Sequence, residues 1–133
     1  MPPAPLPPSL ERFLAAPRPA VVAVAGRGGR PVSAATWFLY EHGHVVLSMA
    51  RDGLRHRHLA ADPRYALTVL ADDWYSHVSV TGRVVELRDD RDLADIDRIS
   101  RLYRGEPYRV RHEPLVTALA DVELWHTYGQ PGE

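Results

Sequence analysis

The stretch WFLYEHGHVVLSMARDGLRHRHLAADP, residues 37–63, decides the reading of this chain. Trp37, Phe38, Leu39 and Tyr40 form an apolar strand that turns at Glu41, His42 and Gly43 into a second strand through Val45, Val46 and Leu47, ending at Ser48. The basic segment Arg51 to Leu59 follows at once. Asp62-Pro63 then stops its helix, because the residue before a proline avoids helical geometry. A strand-end hydroxyl, the N–H groups of a helix start and clustered guanidinium groups together suit an anion. Alternation sets Trp37 and Leu39 on one face and Phe38 and Tyr40 on the other, so only one of these sets can line a pocket.

Upstream, Pro2 to Pro8 is a Pro-rich lead with polyproline character and little expected fixed structure. Ser9 is positioned to cap a helix over Leu10 to Ala16, which Pro17 and Pro19 end. A strand over Ala20 to Arg27 turns at Gly28-Gly29 and pairs back through Val32 to Glu41, and Val45 to Ala50 completes a three-stranded meander. A short helix over Gly53 to Ala61 and a strand over Tyr65 to Ala71 follow.

Downstream, a long strand from Tyr75 to Leu87 alternates apolar and polar residues, and its Gly82 marks a bulge or bend. In Asp89 to Arg104, Leu93, Ile96, Ile99 and Tyr103 recur at helical spacing, with acidic residues early and arginines late. Leu115 to Leu119 and Glu123 to Tyr128 read as one last strand or a pair separated near Asp121. The boundaries predict a Pro-rich lead over residues 1–8 and one domain over 9–129. Six strands with flanking helices in so short a chain form an antiparallel barrel.

Composition narrows the chemistry. The chain has 133 residues, enough for one core, and no cysteine, which excludes thiolate ligands, disulfides and cysteine nucleophiles. A net charge of -1 and the absence of a nucleic-acid reader motif argue against a nucleic-acid partner. There is no apolar run of membrane-spanning length and no secretory pattern, so the expectation is a cytoplasmic protein without a membrane partner. Every non-histidine cation is an arginine.

An arginine cluster on a short helix is most often a solvated face. His42 with His44, and His56 with His58, lie two residues apart, the wrong spacing for a shared helix face, so no metal site is predicted. Asp89, Asp90, Asp92, Asp95 and Asp97 stand at the front of a helix, where they cap it and oppose its dipole.

The order of elements, together with Pro31-Val32-Ser33, Trp37 to Tyr40, Ser48 with its basic segment, Asp62-Pro63-Arg64 and Val80-Thr81-Gly82-Arg83, resembles the split-barrel flavin and deazaflavin oxidoreductases, the superfamily of pyridoxamine 5'-phosphate oxidase. The chain is similar to the small branch that often uses coenzyme F420, with FMN the alternative. The resemblance implies a mainly β, six-stranded antiparallel split β-barrel with flanking helices. It also implies a homodimer with sites at the interface, and hydride transfer to an unsaturated small-molecule substrate. A non-enzymatic cofactor-binding module is the remaining reading.

The resemblance assigns the cofactor phosphate to Ser48, Arg51 and Arg55, with Arg57 nearby. Relatives commonly carry Lys followed three residues later by Asn, where this chain has Arg55 and His58. The ring is expected along Ala34, Ala35, Thr36 and Trp37, with Trp74, Tyr75 and His77 closing the pocket of the other subunit. No catalytic residue is singled out; Tyr40, Tyr75, His77 and water are candidate proton donors.

Overall fold

The computed structural model describes residues 1–132. Helix α1 (Pro8–Ala15) leads into β1 (Ala20–Ala25) and, after a tight turn, β2 (Pro31–Thr36). Strands β3 (Leu39–Glu41) and β4 (His44–Ala50), helix α2 (Leu54–Ala61), β5 (Arg64–Leu70), β6 (His77–Asp89), α3 (Ala94–Arg104) and β7 (Leu115–Tyr128) complete the chain. All strand pairs are antiparallel, in the order β2-β1-β5-β6-β7-β4-β3.

That order contains the argument for a barrel. Strands β2 and β3 stand at opposite ends of the sheet, yet only Trp37 and Phe38 separate them in the chain. Three Cα steps span at most roughly 11 Å, so the sheet must curl until its two edges meet. The split β-barrel is thus dictated by topology. The segment Val32 to Glu41, read from sequence as one strand, divides where it passes between the edges, which raises the strand number from six to seven.

Alternation survives the division. Phe38 is 1% exposed in the barrel core with Val45, Leu47, Leu67, Val69, Val78 and Val80, and Tyr40 packs against that core. Trp37 and Leu39 instead join a second cluster around Leu93, Ile96, Ile99 and Leu115, beneath α3. Helix α1 packs Leu10, Phe13 and Leu14 into the barrel core; each such burial stabilises by about 1.5–3 kcal/mol.

Gly82 does mark a bulge. A register shift falls between Thr81 and Gly82, and a Cβ at Gly82 would meet the carbonyl oxygen of Asp121. This close approach lets β7 continue through Asp121 as one 14-residue strand.

Three local expectations are corrected. Pro7, not Ser9, occupies the N-cap of α1, with no side-chain cap; prolines preset the first turn instead. Helix α3 begins only at Ala94, because β6 runs on to Asp89 and the buried Asp90 carboxylate accepts the N–H groups of Asp95 and Ile96, each at 2.9 Å. The Pro-rich lead is also ordered. Ala4 N–H donates to the Glu123 carbonyl at 2.9 Å, Trp125 N–H donates to the Pro2 carbonyl at 3.0 Å, and Leu6 is buried. Proline lacks an N–H, yet its carbonyls still accept.

Candidate functional site

Strand β2 pairs only with β1, and Pro31 to Ala35 are exposed, so it is an edge strand with unpaired backbone along its length. Three openings follow one another beside it. The first, about 700 Å³, has Ala35, Thr36 and Trp37 on one side and Pro17, Arg18 and Pro19 on another, with Tyr103 and Tyr108 between. A flat apolar group suits this space: the Trp37 and Tyr103 rings stack 5.2 Å apart at 13°, and prolines stiffen the facing wall.

The second, about 170 Å³, lies among Ser33, Ala34, Arg55 and His58; the third, about 530 Å³, lies among Arg27, Arg30, Leu54 and His58. Arg55 connects the first two, since its Nη1 donates to Thr36 Oγ1 at 3.4 Å. Burial lowers the Arg55 pKa. Among the described residues no carboxylate lies within 4 Å of Arg27, Arg30, Arg55 or Arg57. His58 Nδ1 is buried without a hydrogen-bond partner. Guanidinium groups lacking counter-ions beside an unpaired imidazole nitrogen form a receptive environment for an anion.

The remaining grip residues expected from sequence part company here. Ser48, on β4, pairs in register with Thr117 of β7 and lines neither cationic opening. Arg51 leans to Asp89, Nε to Oδ1 at 3.4 Å, and Arg57 is exposed on α2. Of the cationic and histidine side chains of the basic segment, only Arg55 and His58 line the openings beside β2, together with Leu54. A one-residue turn around a helix is about 100°, so neighbouring arginines leave α2 in different directions.

Trp74, Tyr75 and His77 gather elsewhere. The Tyr75 and Tyr128 hydroxyls meet at 2.9 Å, and the His77 ring stacks on that of Tyr128, while Trp74 is 71% exposed. None of these residues lines the three openings. Tyr40 donates its hydroxyl to Glu11 at 3.0 Å, and burial and that carboxylate push its pKa up to about 12.

Sequence reasoning missed Pro17, Arg18, Pro19, Tyr103 and Tyr108 on one side and Arg27 and Arg30 on the other. Their signals were present: a rigid Pro-Arg-Pro before a strand, and arginines flanking a Gly-Gly turn. The prolines read as a helix stop, Tyr103 as part of a helix face and Arg27 and Arg30 as flanks of a turn, while Arg18 and Tyr108 carry no periodic or motif signal. His44 pairs with Asp121 at 3.0 Å, and His56 Nδ1 accepts the Asp52 N–H at 3.0 Å.

Comparison with known proteins places the fold. An F420 reductase superposes with a TM-score of 0.82 at 20% identity, covering 91% of this chain and 98% of that one. A conserved hypothetical protein from Mycobacterium tuberculosis gives 0.75 at 18%, covering 97% and 88%. A heme binding protein from Mycobacterium smegmatis gives 0.70 at 18%, covering 95% of this chain and 56% of its own. Identities this low establish a shared fold and leave the ligand open. No curated protein matched the sequence. The family model for pyridoxamine 5'-phosphate oxidase spans residues 6–127, nearly every element from the lead to β7, and the chain therefore belongs to that family.

Proposed function

We propose that this protein is an F420-dependent oxidoreductase that transfers hydride to an unsaturated small molecule, acting in the cytoplasm as a homodimer with its sites at the interface. The observation carrying this reading is the order of openings along β2: a flat aromatic cavity at Thr36 and Trp37, then Arg55 with His58, then Arg27 with Arg30. A deazaflavin coenzyme has the same sequence of chemistry, with a planar ring, a phosphate and an acidic tail. Ala34, Ala35, Thr36 and Trp37 would hold the ring, and Arg55 and His58 the phosphate, through charge-assisted hydrogen bonds. When bound, the reduced ring supplies a hydride; the protein orients the ring and the substrate and excludes water.

The residues fit such a group: β2 has backbone donors and acceptors to spare, Arg55 lacks a carboxylate, and His58 Nδ1 lacks any partner. Ser48, Arg51 and Arg57 would contribute through the dimer or a ligand-induced shift, and the exposed Trp74 and Tyr75, with the half-buried His77, would meet the second subunit. FMN is the second reading, because a ring and one phosphate also satisfy the first two openings. It leaves Arg27 and Arg30 without an anion. Parallel fluorescence titrations with F420 and FMN separate the readings: F420 is expected to bind at least tenfold tighter, and equal or inverted affinity would replace the coenzyme. Sedimentation of the same preparation tests the dimer.

A further inference from the structure

We infer that His56 is a positioning residue for the cationic openings: its imidazole takes the place of the capping side chain of α2, holds the left-handed turn that starts this helix, and so sets where Arg55 meets an anion. This deepens the proposed function, and rests on it only in taking Arg55 as an anion ligand.

The first turn of a helix leaves its N–H groups without partners, and a side chain at the N-cap ordinarily takes one of them. Helix α2 has Gly53 at that position and no side-chain cap. The chain arrives from β4 through a tight turn, closed by the Gly53 N–H donating to the Ala50 carbonyl at 3.1 Å. There is little room in it. A Cβ on Gly53 would stand 3.2 Å from the Ala50 carbonyl oxygen and 3.3 Å from the Ala50 Cβ. Within the turn Asp52 adopts a φ of 62°, a left-handed backbone that side chains disfavour.

Two further contacts hold this conformation. The Arg51 N–H donates to the Pro114 carbonyl at 3.0 Å, and the Asp52 N–H donates to His56 Nδ1 at 3.0 Å. His56 is the third residue of α2, the place from which the Glu or Gln of a capping box reaches back to the N-cap N–H. Here the acceptor is a ring nitrogen, and it reaches one residue further, to the left-handed Asp52. With Nδ1 accepting, the proton of the neutral ring stands on Nε2.

The consequence falls on Arg55. An eight-residue helix is marginal on its own, and α2 buries only Leu59, so the contacts at its start govern how the first turn is aimed. Arg55 belongs to that turn. It reaches Thr36 Oγ1 at 3.4 Å and shares the opening of about 170 Å³ with His58, one turn further on. His56 lines none of the three openings beside β2, so it acts on a ligand only through its neighbour.

Sulfate is a suitable probe, because it keeps its full charge near neutral pH and needs no coenzyme. Its binding to the full-length protein is read from amide and guanidinium shifts in nitrogen-15 spectra. His56→Ala should weaken sulfate by about threefold and lower the exchange protection of the Asp52 amide. His56→Gln, which restores a capping-box acceptor without the ring, should return the affinity to within about twofold of wild type. In an Arg55→Ala background, His56→Ala should cause no further loss, since the two residues act as one unit. Undiminished affinity in His56→Ala, no recovery in His56→Gln, additive losses in the double variant, or no saturable shift in the wild type would each overturn the assignment. A parallel F420 titration judges the coenzyme separately: wild type that binds sulfate in a His56-dependent manner and does not bind F420 would remove the coenzyme and retain the role of His56.

Discussion

The two ends of β2 are built on opposite plans. At Thr36 and Trp37 the cavity is aromatic and its hydroxyls are hydrogen-bonded to the protein, Tyr108 excepted. At Pro31 to Ala34 the walls carry Arg27, Arg30, Arg55 and His58 with no compensating carboxylate in reach. The first end presents a stiff aromatic and proline-lined wall. The second leaves charge unsatisfied and depends on a ligand for its counter-ions, so the two ends must respond differently to mutation and to salt.

The sharpest way to break this contrast is Arg55→Ala. Loss of a charge-assisted hydrogen bond worth roughly 2 kcal/mol should weaken F420 binding by about thirtyfold. The melting temperature should hold or rise, because a half-buried cation without a carboxylate partner is removed. A change in affinity below threefold would detach Arg55 from the ligand. Replacing Arg27 and Arg30 together with Ala should cost F420 about five- to tenfold at low salt, leave FMN affinity unaltered, and flatten the dependence of log Kd on log ionic strength.

At the aromatic end, Trp37→Leu should weaken ring binding by about fivefold through the lost stacking, with the wild-type salt slope retained. A flattened slope in that variant would mean the ends are not separable. The smallest effect concerns acid. Arg111, by its hydrogen bond, holds the Asp97 carboxyl below the usual carboxylate range. Its contribution to stability is therefore fully present above the unfolded-state carboxylate pKa, and is lost as pH falls through the lower folded value. Asp97 accepts the Tyr108 N–H, so the amide-exchange protection factor around Tyr108, referred to the intrinsic exchange rate at each pH, should fall on acidification across that window in wild type and stay constant in Asp97→Asn.

The strands were legible because their signals are local. Alternation placed Trp37 and Leu39 opposite Phe38 and Tyr40, and Gly82 announced a bulge that a close approach to Asp121 now explains. What periodicity could not display was the crossing between sheet edges at Trp37 and Phe38, because pairing partners far apart in the chain leave no local mark. The site divides in the same way. The basic helix start that carries Arg55 was legible in the residues themselves, whereas the β2 wall was expected only through the family resemblance. Tyr103 already had an adequate local role in its helix, and only the curled sheet brings it and Tyr108 to β2, whereas Arg27 and Arg30 stand in the turn that leads into β2 and were passed over as turn residues. Ser48, Arg51 and Arg57, adjacent in sequence, turn to separate surroundings because strand and helix geometry disperses neighbours.

The Pro-rich lead has a consequence for colloidal behaviour. Strand β4 pairs with β7 only as far as Asp121, so beyond that point one edge of β7 is covered chiefly by the hydrogen bonds of Pro2 and Ala4. A bare strand edge is a template for stacking between molecules, and proline is among the residues least able to extend such a stack. The lead therefore acts as a terminal guard against edge-to-edge aggregation. Removing residues 1–5 should leave the barrel folded by circular dichroism and increase light scattering on storage; unchanged scattering would assign the guard to some other part of the chain.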